Sequence, residues 1–275
     1  MPFARFQKKD PRMFLRLDGK VPEHIAFIMD GNRRYAQRKG HEATWGHRKG
    51  MESVENILHW TYLAKIKHIT IYAFSTENFK RNQAEVDSIF ELLEEVLYKI
   101  SNDEKLLKKK INIRLVGETD RLPDKTVAAF KELEEKTAAN DKMYLNVAVA
   151  YSGRIDIAQA FQQIAEKALS SSEESEGPKI SDDDISKYLF PYADEPVPGV
   201  DLLIRTGEEH RTSNFLSWQA NGNRAVVYFY NKYWPEFTFK DLFYLLRKYQ
   251  KIDTENRKRD EKRLKKINDF RNDAR

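Results

Sequence analysis

The chain has no cysteine. That excludes a disulfide framework and any metal site built on thiolates. It also lacks an apolar run approaching the roughly 20 residues needed to cross a bilayer. Positions 1–20 mix basic and apolar residues and show no apolar signal core. A surplus of one charge is nearly absent too. The 48 basic and 43 acidic residues leave +5, and Lys251 to Arg275, with ten Lys/Arg and six Asp/Glu, supply +4 of it. The remainder is close to neutral, so no broad nucleic-acid surface is expected. These absences suggest a cytoplasmic protein with no nucleic-acid partner. Peripheral contact with a membrane is still compatible with them.

What is present is enough for a sizeable core, since 40% of the 275 residues are hydrophobic. Short apolar runs end in polar breaks and alternate with helical spacing. The strands are expected at Ile25–Met29, His68–Phe74, Ile111–Val116, Met143–Ala150, Val200–Ile204 and Ala225–Tyr230. Helices are expected over Arg34–Gly40, Met51–Ala64, Glu85–Ile100, Asp124–Ala139, onward from Arg154 to about Leu169, over Ser181–Leu189 and over Lys240–Tyr249. His41–Gly50, rich in Gly and His, reads as a loop. This is α/β organisation: one domain with a six-stranded, mostly parallel sheet flanked by helices. It divides into an amphipathic arm at 1–20, a principal domain at 21–250 and a basic tail at 251–275.

Ligands of open α/β sheets sit beyond the carboxyl ends of the strands, and the polar clusters follow that rule. Asp30 to Arg34 follow the first strand, Ser75 to Arg81 the second, Tyr151 to Arg154 the fourth, and Arg205 to Ser213 the fifth. Asp30-Gly31-Asn32-Arg33-Arg34 joins a carboxylate to two arginines at a strand-to-helix turn, which suits a diphosphate and its metal. Taken alone, the same turn could be an ordinary capped helix start. Brought to one sheet edge, the clusters would gather Arg33, Arg34, Arg81, Arg205, Arg211, His47, His210, Asn78, Ser75 and Ser213. So many cations with so few acids imply more than one phosphate group. The stripe Val86, Ile89, Phe90, Leu92, Leu93, Val96, Leu97 and Ile100 is wide for a helix with one buried face. It fits either a deep core helix or the wall of an apolar cavity for a hydrocarbon tail.

Six motifs carry a resemblance. They are His24-x-Ala26-x-Ile28-Met29-Asp30-Gly31-Asn32-Arg33-Arg34, Gly46-His47-x-x-Gly50, Tyr72-Ala73-Phe74-Ser75-x-Glu77-Asn78-x-x-Arg81, Asp201-Leu202-Leu203-Ile204-Arg205-Thr206, Arg211-x-Ser213-Asn214-Phe215-Leu216 and Trp234-Pro235-x-Phe237. The chain resembles the cis-prenyltransferases, the family of undecaprenyl and dehydrodolichyl diphosphate synthases. The resemblance implies a single α/β domain with a hydrophobic tunnel, a homodimer, and Mg²⁺ as cofactor. It implies condensation of isopentenyl diphosphate with an allylic prenyl diphosphate to a cis-polyprenyl diphosphate, with release of pyrophosphate. By position, Asp30 is expected to bind the metal and assist ionisation. Gly31, Asn32, Arg33, Arg34 and His47 are expected to cradle the allylic diphosphate, with Tyr35 and Phe74 in the binding set. Ser75 and Asn78 are expected at the reacting centre with Arg81 in support. Arg205, Arg211 and Ser213 are expected on isopentenyl diphosphate, and Glu85 with its helix on a tunnel wall.

Three departures stand out. Ala43 replaces the basic residue the family usually places four before His47. Arg205-Thr206-Gly207-Glu208-Glu209 adds a carboxylate beside a diphosphate site. After Trp218-Gln219, a metal-binding glutamate of the family is missing, and Val226 holds its place. That loss weakens expected Mg²⁺ binding unless Glu208 or Glu209 substitutes. A divergent member with short-chain, non-head-to-tail or other-acceptor transfer is one alternative reading. A non-catalytic prenyl-diphosphate-binding subunit is the alternative from another class. Asp30, Asn78 and Arg81, and the absence of a terminal Arg-x-Gly, argue for a homomeric enzyme instead.

Overall fold

Runs of β-branched and aromatic residues become strands here because both faces are covered. All five positions of β1 (His24–Ile28) and of β5 (Leu202–Thr206) are buried. Eight of the nine positions of β4 (Met143–Tyr151) are buried as well. With β2 (His68–Ser75), β3 (Ile111–Val116) and β6 (Val226–Tyr230) they form one sheet in the order β3-β4-β2-β1-β5-β6. Every neighbouring pair is parallel. The sheet is therefore parallel throughout, not only for the most part, as continuous apolar strands favour. The computed structural model describes residues 20–170, 180–190, 197–221 and 225–273. Apart from Lys20, the expected arm at 1–20 lies outside them.

β1 sits between β2 and β5. The chain leaves β1 toward β2 and later returns on its other side as β5, so the end of β1 is the switch point where such sheets open a crevice. Polar pins fix this centre. The Asp201 carboxylate accepts the backbone N–H groups of Glu23 (2.7 Å) and His24 (3.1 Å). His24 is buried, and burial lowers its pKa to about 4. The neutral ring donates from Nδ1 to the Pro198 carbonyl (2.8 Å), so Nε2 must accept from the Thr70 hydroxyl (2.7 Å). Asn146 donates to the same hydroxyl at 3.1 Å. One tautomer thus ties β1, β2 and β4 together.

Helices join the strands. α1 is Asn32–Arg38, α2 Ala43–Leu63, α3 Gln83–Ser101, α4 Glu104–Leu107, α5 Asp124–Thr137, α6 Gly153–Ser170 and α7 Asp182–Lys187. Ser181 caps α7 in a box with Asp184, as the sequence suggests. The expected loop at His41–Gly50 is a correction: from Ala43 onward it is helix. Its glycines are not turn formers. A Cβ at Gly46 would collide with the Asn32 carbonyl oxygen and lie 2.9 Å from Ala36 Cβ, and one at Gly50 would lie 2.5 Å from Asn32 Oδ1. Glycine lets α2 approach α1 closely, a tertiary reason invisible in a local window.

Among the described residues, Glu23–Phe237 forms one compact unit, and 20–22 with 238–273 form the other. In the second unit the basic tail continues the expected helix, giving α8 (Phe239–Asp273). Thr238 starts it by donating N–H and hydroxyl to Asp241. No helix among the described residues is long and apolar enough to cross a membrane.

Gly46→Ala should therefore destabilise the protein by about 1–3 kcal/mol through overpacking. Urea unfolding at constant pH reads this, and an unchanged midpoint would contradict the close α1–α2 approach.

Candidate active site

β1 runs out at Ile28, and the next residues are turned by tertiary bonds. The Asp30 carbonyl accepts from the Thr206 hydroxyl (2.8 Å) and the Trp234 N–H (3.0 Å). Trp234 is fully buried and also donates its indole N–H to the Gly50 carbonyl at 2.8 Å. The Trp-Pro-x-Phe motif is thus an anchor: it fastens the turn after β1 to α2. Gly31 caps α1 at φ +106°, a conformation glycine adopts freely.

The Asp30 side chain is held on both oxygens. Oδ1 is 3.1 Å from Arg34 Nη2, and Oδ2 accepts from Arg205 Nη2 at 2.8 Å. Arg205 projects from β5 and is buried. Its other terminal nitrogen donates to the Ser213 hydroxyl (2.6 Å) and to the Arg211 carbonyl. Arg211 in turn pairs with Glu209.

A second hub forms at the start of α3. Arg81 donates to Glu85 Oε1 at 2.9 Å, His47 Nε2 lies 3.6 Å from the same oxygen, and Arg33 Nη1 lies 3.5 Å from Oε2. Glu85, expected on a tunnel wall, is a carboxylate that spaces two arginines and the His47 ring. Burial lowers the pKa of His47; the Arg81 charge lowers it further and Glu85 opposes both. Between the hubs, the turn after β2 presents Ser75 and Asn78. Asn78 Oδ1 accepts the Ser75 N–H at 2.9 Å, which leaves the amide hydrogens as its remaining offer. Tyr72 donates to the Tyr151 carbonyl at 3.1 Å, and burial pushes its pKa up to about 12.

The segment after β5 is strained. Glu208, Ser213, Asn214 and Leu216 all have positive φ, from 34° to 60°, and Ala150 at the end of β4 has φ 50°. Such residues cost of order 1–3 kcal/mol each and persist only when their surroundings over-determine them. The over-determination is visible. The Asn214 carbonyl accepts the Gly153 N–H (2.8 Å), and its amide donates to Ser152 (2.7 Å). Asp156 is buried and accepts from Tyr151, Gln219 and the Phe190 N–H at 2.7–2.9 Å. Burial raises its pKa. The cluster at Tyr151–Arg154 therefore supports the Arg211–Ser213 segment and does not line the cavity.

These groups surround a cavity of about 640 Å³. Asp30, Gly31, Asn32, Arg33, Arg34, His47, Ser75, Asn78, Arg81, Arg205, Arg211 and Ser213 all line it. Ile89, from the apolar stripe, and Glu209, the carboxylate expected beside a diphosphate site, line it too, and so do Tyr72 and Glu77, which the sequence does not mark as ligand-binding. The alternation in β2 could have pointed to Tyr72. Tyr35 and Phe74 are not on its wall. Tyr35 stacks on Trp45 (5.5 Å), and Phe74 is core, against Phe79 and Phe90. His210 is also off the wall, near Phe229. Buried polar atoms without a partner include Asn32 Oδ1, His47 Nε2 and Arg205 Nε, all on cavity residues. Such atoms are what a polar ligand satisfies. A second, apolar space lies between α2 and α3, lined by Met51, Val54, Leu58, Val96, Ile100 and Leu145 among others. The wide stripe of α3 is thus shared: Val86, Phe90, Leu93 and Leu97 are core, Ile89 meets the polar cavity, and Val96 and Ile100 meet the apolar one.

Residues 28–260 match the family model described as "Putative undecaprenyl diphosphate synthase". The chain belongs to this family. It is 41% identical over 270 residues, 98% of this chain and 90% of the other, to the tritrans,polycis-undecaprenyl-diphosphate synthase (geranylgeranyl-diphosphate specific) of Methanosarcina mazei. It is 41% identical to the synthase of the same description from Archaeoglobus fulgidus, covering 84% of this chain and 90% of that one. The crystal structure of lavandulyl diphosphate synthase from Lavandula x intermedia, in complex with dimethylallyl diphosphate, superposes with a TM-score of 0.74 at 30% identity, covering 84% and 95%. The protein is a prenyltransferase of the polyprenyl diphosphate synthase type and elongates a cis-prenyl chain. Neither the divergent reading nor the non-catalytic subunit is favoured by these relatives.

Because burial and Arg81 hold the His47 pKa below 6.5, its ring should be neutral at pH 7 and take up a proton only as pH falls. Glu85→Gln removes the one group that raises it, so the titration should move lower still. NMR titration of the His47 ring reads both; a midpoint at or above 6.5 would contradict the arrangement.

Proposed function

We propose that the cavity holds two diphosphates side by side, with Asp30 at their boundary. Gly31, Asn32, Arg33, Arg34 and His47 take the allylic diphosphate. Arg205, Arg211 and Ser213 take that of isopentenyl diphosphate. The observation that carries this reading is the Asp30 carboxylate, engaged on one oxygen by Arg34 and on the other by Arg205. An arginine on each side of one acid marks two neighbouring anion sites.

The reaction needs the allylic carbon–oxygen bond to break, with its electron pair leaving on pyrophosphate. Arg33 and Arg34 stabilise that charge as it develops, inside a polar cavity where fixed cations act strongly. The π electrons of isopentenyl diphosphate then attack the allylic carbon, and a proton leaves the adduct. Ser75 and Asn78 stand at that centre and assist proton removal, with Arg81 supporting them. Neutral His47 donates a hydrogen bond to an allylic phosphate oxygen.

Among the described residues no group of three or more His, Cys, Asp or Glu is placed to hold a metal. Mg²⁺ characteristically binds through one or two carboxylates and is completed by substrate phosphates, a mode that Asp30 on the cavity wall fits, with Glu209 also on that wall. When bound, the ion supplies charge stabilisation to the leaving pyrophosphate. Val226 cannot contribute, since it is an apolar residue opening β6 in register with Leu202.

We assign the hydrocarbon tail to the apolar space between α2 and α3; at about 40 Å³ it must widen to admit one. From the relatives' names, the starter is geranylgeranyl diphosphate and the product has undecaprenyl length. β6 is an edge strand, half-buried at all five positions, and a second copy covering it explains such an edge. Light scattering should then give twice the 32.4 kDa chain mass. The basic tail carried by α8, with ten Lys/Arg against six Asp/Glu from Lys251 on, supplies peripheral contact with anionic membrane on this reading, which sedimentation with anionic vesicles tests.

Product analysis with labelled isopentenyl diphosphate and allylic starters of different length tests the reaction. Geranylgeranyl diphosphate should be the best starter, and a single condensation product would overturn the elongation reading. Asp30→Asn should lower kcat by roughly 100-fold or more while the fold persists by circular dichroism. Retained turnover would remove Asp30 from the mechanism.

A further inference from the structure

Glu208 occupies a position unsuited to a glutamate. Its φ of +34° lies in the left-handed region, which a non-glycine side chain adopts only when its surroundings enforce it. From there its carboxylate reaches back toward the cavity arginines. Glu208 Oε2 is 3.7 Å from Arg34 Nη1 and accepts from the Tyr233 hydroxyl at 3.4 Å.

Arg34 is thereby enclosed. Its Nη2 contacts Asp30 Oδ1 (3.1 Å) and donates to the Gly207 carbonyl (3.3 Å). Its guanidinium lies over the Tyr233 ring, 5.5 Å from the centroid. One arginine thus stands between two carboxylates. Asp30 has a place in the reaction, whereas Glu208 has none. Glu208 is also 58% exposed, so its hold on Arg34 is screened and weak. A weak partner is one that a diphosphate displaces readily and that recaptures the arginine afterwards.

We propose that Glu208 is a positioning residue that competes with diphosphate for Arg34, weakening retention of the pyrophosphate product and resetting Arg34 after it leaves. The physical basis is simple. Each condensation leaves a polyanion beside Arg34, and a fixed carboxylate there both repels it and offers the guanidinium another partner. The inference rests on the assignment of Arg34 to a diphosphate site.

Calorimetric titration of inorganic pyrophosphate into the full chain tests it, using wild type, Glu208→Gln, Glu208→Gly and Arg34→Ala, each with and without Mg²⁺. Glu208→Gln and Glu208→Gly should both bind pyrophosphate roughly three- to tenfold more tightly in both conditions. Pyrophosphate inhibition should strengthen, and KM for the allylic substrate should fall, by a similar factor. If only Glu208→Gly differs from wild type, backbone strain and not charge is responsible, and the proposal fails. If Glu208→Gln binds more weakly only when Mg²⁺ is present, Glu208 is a metal ligand and the proposal fails. Should Arg34→Ala bind pyrophosphate as wild type does, the diphosphate-site assignment itself has failed. Should Arg34→Ala lose binding while both Glu208 variants match wild type, only this inference is lost.

Discussion

The ion pair between Asp30 and Arg205 is the tie on which the site depends. Arg205 is buried, and a buried guanidinium without its carboxylate would be costly. The pair joins the ends of two adjacent strands, β1 and β5. The same arginine then reaches Ser213 and the Arg211 carbonyl, so the strained segment after β5 takes its position from Asp30. The backbone of Asp30 is pinned as well, through Thr206 and Trp234. One residue therefore references the first strand, the fifth strand, the segment after it and the Trp-Pro-x-Phe anchor to each other.

That arrangement explains why unfavourable backbone conformations gather where they do. A segment that must aim Arg211 and Ser213 into a cavity cannot also follow the relaxed path of a connecting loop. The unfavourable conformation at Asn214 is offset by pins from Ser152 and Gly153, and Asp156 ties Tyr151 to Gln219 behind them; none of the three lines the cavity. The chemistry-bearing edge of the sheet thus has two tiers: cations and hydroxyls that face the ligand, and a buried polar tier that holds them.

The strands were legible in the sequence because burial on both faces leaves continuous apolar runs, and the polar breaks marked their carboxyl ends; the spatial order β3-β4-β2-β1-β5-β6 was not legible, because no local signal carries it. Twelve of the fourteen expected site residues line one cavity, for the same reason: turn formers and arginines after a strand have little else to do. The rest was hidden where tertiary contact overrides local signal. Gly46 and Gly50 look like loop residues until Asn32 is seen against them. Glu85 looks like the start of an apolar wall, yet it sits four residues after Arg81, the spacing of a helical ion pair. Tyr35, directly after one motif, and Phe74, within another, pack against aromatic neighbours and do not line the cavity. A motif records everything a site needs, including its supports, and the sequence alone does not separate the two.

α2 carries a consequence of its own. The helix has 21 residues, so it is a rod about 31 Å long. Near one end its glycines clasp Asn32 and so the short helix bearing Arg33 and Arg34. Further along, Met51, Val54 and Leu58 face the apolar space. With no compressible layer at the clasp, a tilt imposed by filling that space is delivered to the arginines. If that space takes the tail, as proposed, head-group grip and tail accommodation are two loads on one lever.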